Sequence, residues 1–457
     1  MNANLIAELT TVVGAKGILT GNDVHQRRDG WMGAPACQAE AVVRPANTEE
    51  LSAVMRLCEG QNQTTVVHGG LTGLVGGART ESGDIVISLE RMRSIVEIDS
   101  LNRTMTVEAG VNLQTVQEAA EAAGLFYPVD LGARGSATIG GTIATNAGGN
   151  RVLRYGMTRE SVLGLEAVLA DGTVVSSLSK VLKNNTGYNL PHLFIGTEGT
   201  LGIVTRAVLR LRPKPLGEAT ALVAVDDFAN LSRLLNLAES GLGGGLSSFE
   251  VMWRNFYELV TGTERHRPPL PVQAPYYVII ETQGSSNEQE QARLEALLGQ
   301  ALEQDLISDA VLTQSSAERE KIWAIRDDVE ALFSLAPIHA FDISLPISAM
   351  EPYLEALQAQ LDEQWPQNRC IVFGHLGDGN LHIIIGKVPT SDKALVEDRV
   401  YRPLQACNGS ISAEHGIGLD KKPYLQYSRS AAEIAVMKAL KQALDPKNLL
   451  NPGKVLN

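Results

Sequence analysis

Two short stretches late in the chain carry the residue types best suited to chemistry. They are Phe373-Gly-His-Leu-Gly-Asp-Gly-Asn-Leu-His382 and Ser412-Ala-Glu-His-Gly-Ile-Gly418. Together they hold three of only eight histidines, His375, His382 and His415, with Glu414 beside the last. Strand-like runs at 370–373 and 381–385 flank the first stretch, and Asp378-Gly379 is a hairpin signal. Closing that hairpin brings His375 and His382 together at its mouth. Two imidazoles and one carboxylate, with a position left open for substrate, form a catalytic metal set. A single histidine is more often a satisfied structural residue; three in two glycine-flanked motifs favour ligands. Asp378 could serve as a ligand too, but its place before Gly379 favours a turn role. Upstream, Arg326 in Ile322-Trp-Ala-Ile-Arg-Asp-Asp-Val-Glu330 suits a carboxylate, because a guanidinium matches that group bidentately. The plainer alternative is a helix arginine paired with a neighbouring acid.

Three glycine clusters in the first half could hold a nucleotide. Val66-Val-His-Gly-Gly-Leu-Thr-Gly-Leu-Val-Gly-Gly77 follows a short strand and places five glycines in nine residues. Successive amides in such a loop can nest a pyrophosphate. Its spacing is neither GxGxxG nor GxxxxGK[ST], which excludes the Rossmann and P-loop readings. Pro128-Val-Asp-Leu-Gly-Ala-Arg-Gly-Ser-Ala-Thr-Ile-Gly-Gly-Thr-Ile-Ala-Thr-Asn-Ala-Gly-Gly149 offers the wall of small residues against which a planar ring can lie. Ile195-Gly-Thr-Glu-Gly-Thr-Leu-Gly-Ile-Val-Thr205 is the third and leads into a strand. Each is weak alone; the three in this order are strong.

These segments resemble the FAD-binding half of the vanillyl-alcohol-oxidase-type flavoproteins. More closely, they resemble the FAD-linked oxidase C-terminal-domain branch that contains D-lactate dehydrogenases, the glycolate oxidase flavin subunit and D-2-hydroxyglutarate dehydrogenase. The likeness runs from about residue 20 to the end. It implies non-covalent FAD held by Gly69, Gly70, Leu71, Thr72, Gly73, Leu74, Val75 and Gly76 at the pyrophosphate. Pro128, Asp130, Thr138, Gly141, Thr142, Asn146 and Gly148 would line the ribityl chain and isoalloxazine. Glu198, Gly199 and Ile203 would touch the ring or the adenine side, and Asn451 would join the site from the tail. Leu71 stands where the branch usually has Asn, which puts an apolar side chain in place of a polar one. His68 precedes the glycines where some distant members tether the flavin, but the closer branch uses no tether. By the same resemblance His375, His382 and Glu414 bind a divalent metal, zinc in most members. His415 is then the catalytic base, Asn380 touches substrate and Arg326 belongs to the branch's Trp-x-x-Arg segment. Members acting on hydroxyglutarate carry a lysine shortly before the Asp-Leu-Ser-Leu-Pro segment. Here that stretch, His339-Ala-Phe-Asp-Ile-Ser-Leu-Pro346, has none, and Glu330 replaces a hydroxyl-bearing residue. The expected substrate is therefore a small D-2-hydroxy acid with a slight preference for a D-lactate-like monocarboxylate, and D-2-hydroxyglutarate is the alternative.

The elements that must position these residues imply an α+β chain. The expected organisation is a two-subdomain FAD-binding domain at 1–215, a substrate and metal-binding cap at 216–425, and a helical segment at 426–457 returning to the flavin. Arg212-Pro-Lys-Pro-Leu-Gly217 marks the first boundary. Within the first domain, helical spacing predicts a helix over 48–61 capped by Thr48, short β-branched runs predict strands over 64–67, 85–89 and 105–107, and alternation predicts one over 205–211. In the second, strands are expected over 221–225 and 276–282. Helices are expected over 228–239 and over 289–304, the latter with Leu294, Leu297, Leu298 and Leu302 facing inward. A final helix spans 431–444.

With 457 residues, 44% hydrophobic and 20% charged, the chain reads as globular. Its net charge of −13 argues against nucleic acid and leaves an anionic substrate to local cations. Four cysteines without a CxxC pair suggest reduced thiols. No apolar run reaches a membrane span and no signal peptide is read at the start. The expected setting is cytoplasmic, with the membrane periphery as the other option and a homodimer as the assembly considered. Without an Fe–S motif, electrons leave through an external acceptor, a quinone or an electron-transfer flavoprotein. Two competing readings stay open: a metal hydrolase whose glycine loops bind another nucleotide, and a non-catalytic flavin subunit.

Overall fold

The computed structural model describes residues 3–31 and 33–456. The chain divides into two compact units. The first comprises Met1–Gly149, Gly156–Lys214 and Glu414–Asn457; the second comprises Asn150–Tyr155 and Pro215–Ala413. The second unit takes up the chain at Pro215, and the first resumes at Glu414. The backbone explains this: the amides of Ile417 and Gly418 bond the Glu198 carboxylate, and those of Leu419 and Asp420 bond the Val75 carbonyl.

The first unit holds a four-stranded sheet in the order Ile18–Thr20, Ala41–Val43, Ile85–Ser88, Thr65–His68, and the last three run parallel. Val42, Val66 and Val86 are fully buried, as β-branched residues on covered parallel strands should be. A five-stranded antiparallel sheet follows, ordered Ile95–Asp99, Thr104–Glu108, Ile203–Arg210, Val162–Val168, Val174–Ser177. In Ile203–Arg210, Arg206 and Arg210 are half-exposed while Ala207, Val208 and Leu209 are buried. The helix Thr48–Gly60 is capped by Asn47, not Thr48: the Asn47 side chain accepts from the Glu50 amide. Thr48 is buried in the first turn, with its hydroxyl on the Glu166 carboxylate.

The second unit is a seven-stranded antiparallel sheet in the order Asp309–Leu312, Gly217–Val225, Tyr276–Gly284, Leu246–Trp253, Arg369–His375, Asn380–Gly386, Ile338–Ser344. Its core includes Met252, Phe256, Tyr257, Tyr277 and Phe373, and the Tyr257 and Tyr277 rings stack at 3.8 Å. Helix Asn287–Glu303 buries Leu294, Leu297 and Leu298, whereas Leu302 is 45% exposed, against the inward position expected of it. The buried stripe continues instead through Ala301 in the last turn. Helix Ala431–Leu444, in the first unit, has no fully buried residue; Ile434 and Met437 are half-buried.

Candidate functional site

Within the first unit the three glycine clusters converge, and close backbone approach is the reason glycine is needed. A Cβ on Gly70 would stand 2.0 Å from the Ser136 carbonyl oxygen, and one on Gly69 would stand 2.8 Å from Thr138 Oγ1. The first loop is thus pressed onto the second cluster with no space for a side chain. Thr138 caps helix Ile139–Thr145 by accepting from the Gly141 amide. Thr142 is buried with its hydroxyl on Ile139, and Asn146 ends the helix in the left-handed region, accepting from the Arg159 amide. The third cluster hangs on the same helix: Gly196 and Glu198 donate their amides to the Ile143 and Ala144 carbonyls.

Asn451 ties the tail into this arrangement. Its side chain accepts from the Val67 amide at 2.9 Å and donates to the Glu198 carbonyl at 2.6 Å. Gly199 faces that amide closely. Leu71 and Glu198 both have positive φ, 56° and 52°. Gly73 and Leu74 form the exposed tip of the loop, Val75 is buried, and Thr72 and Gly76 are half-buried. A Cβ on Gly73 would meet nothing within 4 Å, so at this point the loop leaves room beside its backbone. Pro128, Gly148 and Ile203 are buried, and Asp130 pairs with Arg134 at 2.9 Å. Successive amides on a glycine-rich backbone are the chemistry with which a loop nests a pyrophosphate.

Glu198 does something that the sequence did not suggest. Its carboxylate accepts from the Ile417 and Gly418 amides at 2.6 and 2.9 Å, anchoring the turn that follows Glu414 and His415. Burial pushes this carboxyl upward, while the two amides and Lys421 pull it back. Gly418, at φ 52°, could carry no side chain, since a Cβ would lie 2.1 Å from the Val75 oxygen. Glu414 and His415 themselves are half-buried.

In the second unit the hairpin closes as its turn signal requires. Strand Arg369–His375 and strand Asn380–Gly386 pair, and Gly379 turns between them at φ 83°. The His375 and His382 rings end 5.3 Å apart, edge to face. Two buried acids missing from the expected site back them. Glu250 Oε1 lies 2.6 Å from His375 Nδ1, and Asp342 Oδ1 lies 3.8 Å from His382 Nδ1. Burial acts against the Glu250 carboxylate, but His375 and Arg326 outweigh it and hold its pKa below the ordinary value. Asp378, by contrast, is pushed up to about 6, chiefly by burial. Asp342 stands opposite His382 in register, and its carbonyl accepts from Ala413, the residue before Glu414.

Arg326 is 5% exposed and bonds Glu250 rather than solvent, with its guanidinium 4.8 Å over the Phe373 ring. Asn380 donates to Asp342 Oδ1 and to the Ile343 carbonyl, each at 2.9 Å. Its buried Oδ1 has no partner among the described residues. One sequence signal could have exposed Glu250: a lone acid inside the strand run Ser248-Phe-Glu-Val-Met252, where only a specific partner makes burial tolerable.

Comparison with known proteins bears on the same two regions. A family described as FAD linked oxidases, C-terminal domain, matches residues 214–455, and one described as FAD binding domain matches residues 39–177. The chain belongs to the FAD-linked oxidases. A D-2-hydroxyglutarate dehydrogenase of Xanthomonas citri pv. viticola is 42% identical to this FAD-linked oxidase, covering 94% of this chain and 92% of its own. The mitochondrial D-2-hydroxyglutarate dehydrogenase of Bos taurus is 37% identical over 99% of this chain and 83% of its own. Among solved structures, p-cresol methylhydroxylase with substrate bound aligns at a TM-score of 0.78 and 14% identity, covering 99% of this chain and 96% of that one, a likeness of fold. The expected α+β FAD-linked oxidase architecture is thus the observed one. No helix among the described residues is long and apolar enough to cross a membrane.

Proposed function

We propose that this FAD-linked oxidase oxidises a small D-2-hydroxy acid to the 2-oxo acid and passes the electrons to an external acceptor, a quinone or an electron-transfer flavoprotein. FAD, bound non-covalently at the converged glycine loops, supplies the hydride-accepting ring. A divalent metal, zinc by resemblance to the branch, would be held by His375, His382 and Glu414 and would lower the pKa of the substrate hydroxyl. The observation that carries the proposal is the edge-to-face pair of His375 and His382, each with a buried carboxylate beside its Nδ1. Such outer carboxylates orient imidazoles that bind metal through the other nitrogen. Chain connectivity supports Glu414 as third ligand, since its Cα lies one peptide, ~3.8 Å, beyond Ala413, which is bonded to Asp342. His415, the next residue, takes the hydroxyl proton. Arg326 supports the substrate carboxylate, and the unpartnered Asn380 Oδ1 is suited to accept from a substrate hydroxyl.

Within this class the residues favour a D-lactate-like monocarboxylate. His339 is buried with its Nε2 on the Val388 carbonyl, and Glu330 is exposed and paired with Arg265. Both side chains are already engaged within the protein, and the stretch 339–346 contains no lysine for a second carboxylate. The names of the relatives favour a second reading, D-2-hydroxyglutarate. Anaerobic flavin bleaching by both enantiomers of lactate and 2-hydroxyglutarate, before and after chelation, tests both. Bleaching by the D acids and loss of turnover on chelation is expected, with the larger kcat/KM for D-lactate. A preference for D-2-hydroxyglutarate selects the second reading, and a flavin that no 2-hydroxy acid reduces sinks the proposal.

A further inference from the structure

Glu250 lies on strand Leu246–Trp253, opposite His375 on the neighbouring strand, and is 1% exposed. Both of its oxygens are committed. Oε1 is 2.6 Å from His375 Nδ1, and Oε2 accepts from Arg326 Nε at 3.1 Å and Nη2 at 3.0 Å. The same Arg326 Nη2 is 3.5 Å from His375 Nε2. One carboxylate therefore holds an imidazole from a strand and a guanidinium from helix Ser316–Asp327 side by side. A salt bridge serving only the fold would need Arg326 alone; the short contact to the imidazole is the additional feature. An ionised carboxylate is an acceptor only, so the proton between Glu250 and His375 belongs on Nδ1. The lone pair of the neutral ring is then on Nε2.

We infer that Glu250 is a positioning residue for the reaction: it fixes His375 in the Nδ1–H tautomer, with Nε2 as the ligand atom, and sets the Arg326 guanidinium at a defined place beside it. This rests on the metal reading above. It makes the distance between metal and substrate-carboxylate cation a property of one buried side chain.

Glutamine at this position keeps the shape but offers one acceptor and one donor. With its oxygen toward Arg326, its NH2 faces Nδ1, which must then accept, and the ring proton moves to Nε2, the atom needed for the metal. Turned the other way, its NH2 confronts the guanidinium. Aspartate keeps the charge and falls short by one methylene.

The test uses the full-length flavoprotein as wild type, E250Q, E250D, H375A and E250Q/H375A. Zinc affinity is read by competition with a chromophoric chelator, FAD content by absorbance, and folding by thermal melting. E250Q is expected to weaken zinc binding about 10–100-fold while FAD content is unchanged, as for outer-sphere partners generally. E250D should recover part of the loss, and E250Q should add nothing in the H375A background. Wild-type zinc affinity in folded E250Q overturns the inference, as does a further loss from E250Q when His375 is already absent. If E250Q does not fold, wild-type zinc affinity in E250D overturns it equally. A wild-type protein that binds no zinc removes the metal reading itself, a result distinct from either.

Discussion

Replacing Arg326 with methionine isolates the ionic half of the second unit's core. The guanidinium makes two charge-assisted contacts to Glu250, at 3.1 and 3.0 Å, with side-chain exposures of 6% and 1%. Two opposite charges at such separation attract by about 5 kcal/mol at an effective dielectric near 20. Removing one partner strands the other's desolvation cost, so Arg326→Met should destabilise the unit by about 3–5 kcal/mol. Removal of the cation from the Phe373 face acts in the same direction. For a unit of about this size 1 kcal/mol corresponds to ~2–4 °C, so melting should fall by roughly 6–20 °C. Removing both charges, as Arg326→Met with Glu250→Leu, should recover most of that. Tryptophan fluorescence is the natural probe, because Trp253, Trp323 and Trp365 belong to this unit. The pH dependence has a definite sign. The folded pKa of Glu250 is depressed below its ordinary 4.5, so the pair's contribution is present above that value and lost as pH falls through the folded pKa. The gap between wild type and Arg326→Met should therefore be full at pH 7 and shrink in acid. A single variant that melts with the wild type, or a double variant as unstable as the single, would refute the reasoning.

Other expectations follow from the same geometry. Gly70→Ala forces a Cβ to 2.0 Å from the Ser136 oxygen and should abolish soluble protein, whereas Gly73→Val has open space and should fold yet lose FAD; full flavin occupancy in folded Gly73→Val would remove the loop from the pyrophosphate. Glu198→Gln gives up one of two amide bonds and should cost about 1–3 kcal/mol, read from the urea midpoint; an unchanged midpoint would deny the anchor its role. Burial pushes the Cys58 and Cys370 thiols up to about 12 and raises Cys37, so native alkylation at pH 8 should mark Cys407 alone, and mass spectrometry finding a second labelled thiol would contradict this.

Much of this protein is legible as a string. The strand 205–211 and the helices at 228–239 and 431–444 follow from periodicity, and the strand 85–89 from its β-branched run, because local hydrophobic pattern records what is covered. The hairpin at Asp378-Gly379 follows from a turn that only glycine forms without strain, and it carries His375 and His382 to each other's side. Some glycines of the clusters, Gly70 and Gly149 among them, mark where backbones approach too closely for a Cβ, although which carbonyl they approach is not written in them. Partnership across the sheet is what the sequence alone could not supply. Glu250 is 125 residues from His375 and 76 from Arg326, and only the strand order of the seven-stranded sheet, with the helix that carries Arg326 packed beside it, makes one carboxylate their common neighbour. Glu198 resembles a flavin contact in its motif, but 219 residues later its oxygens find the amides of Ile417 and Gly418. A buried charge is tolerated only where a partner meets it. That partner is chosen by strand order and register, quantities that belong to the folded chain and not to any window of its sequence.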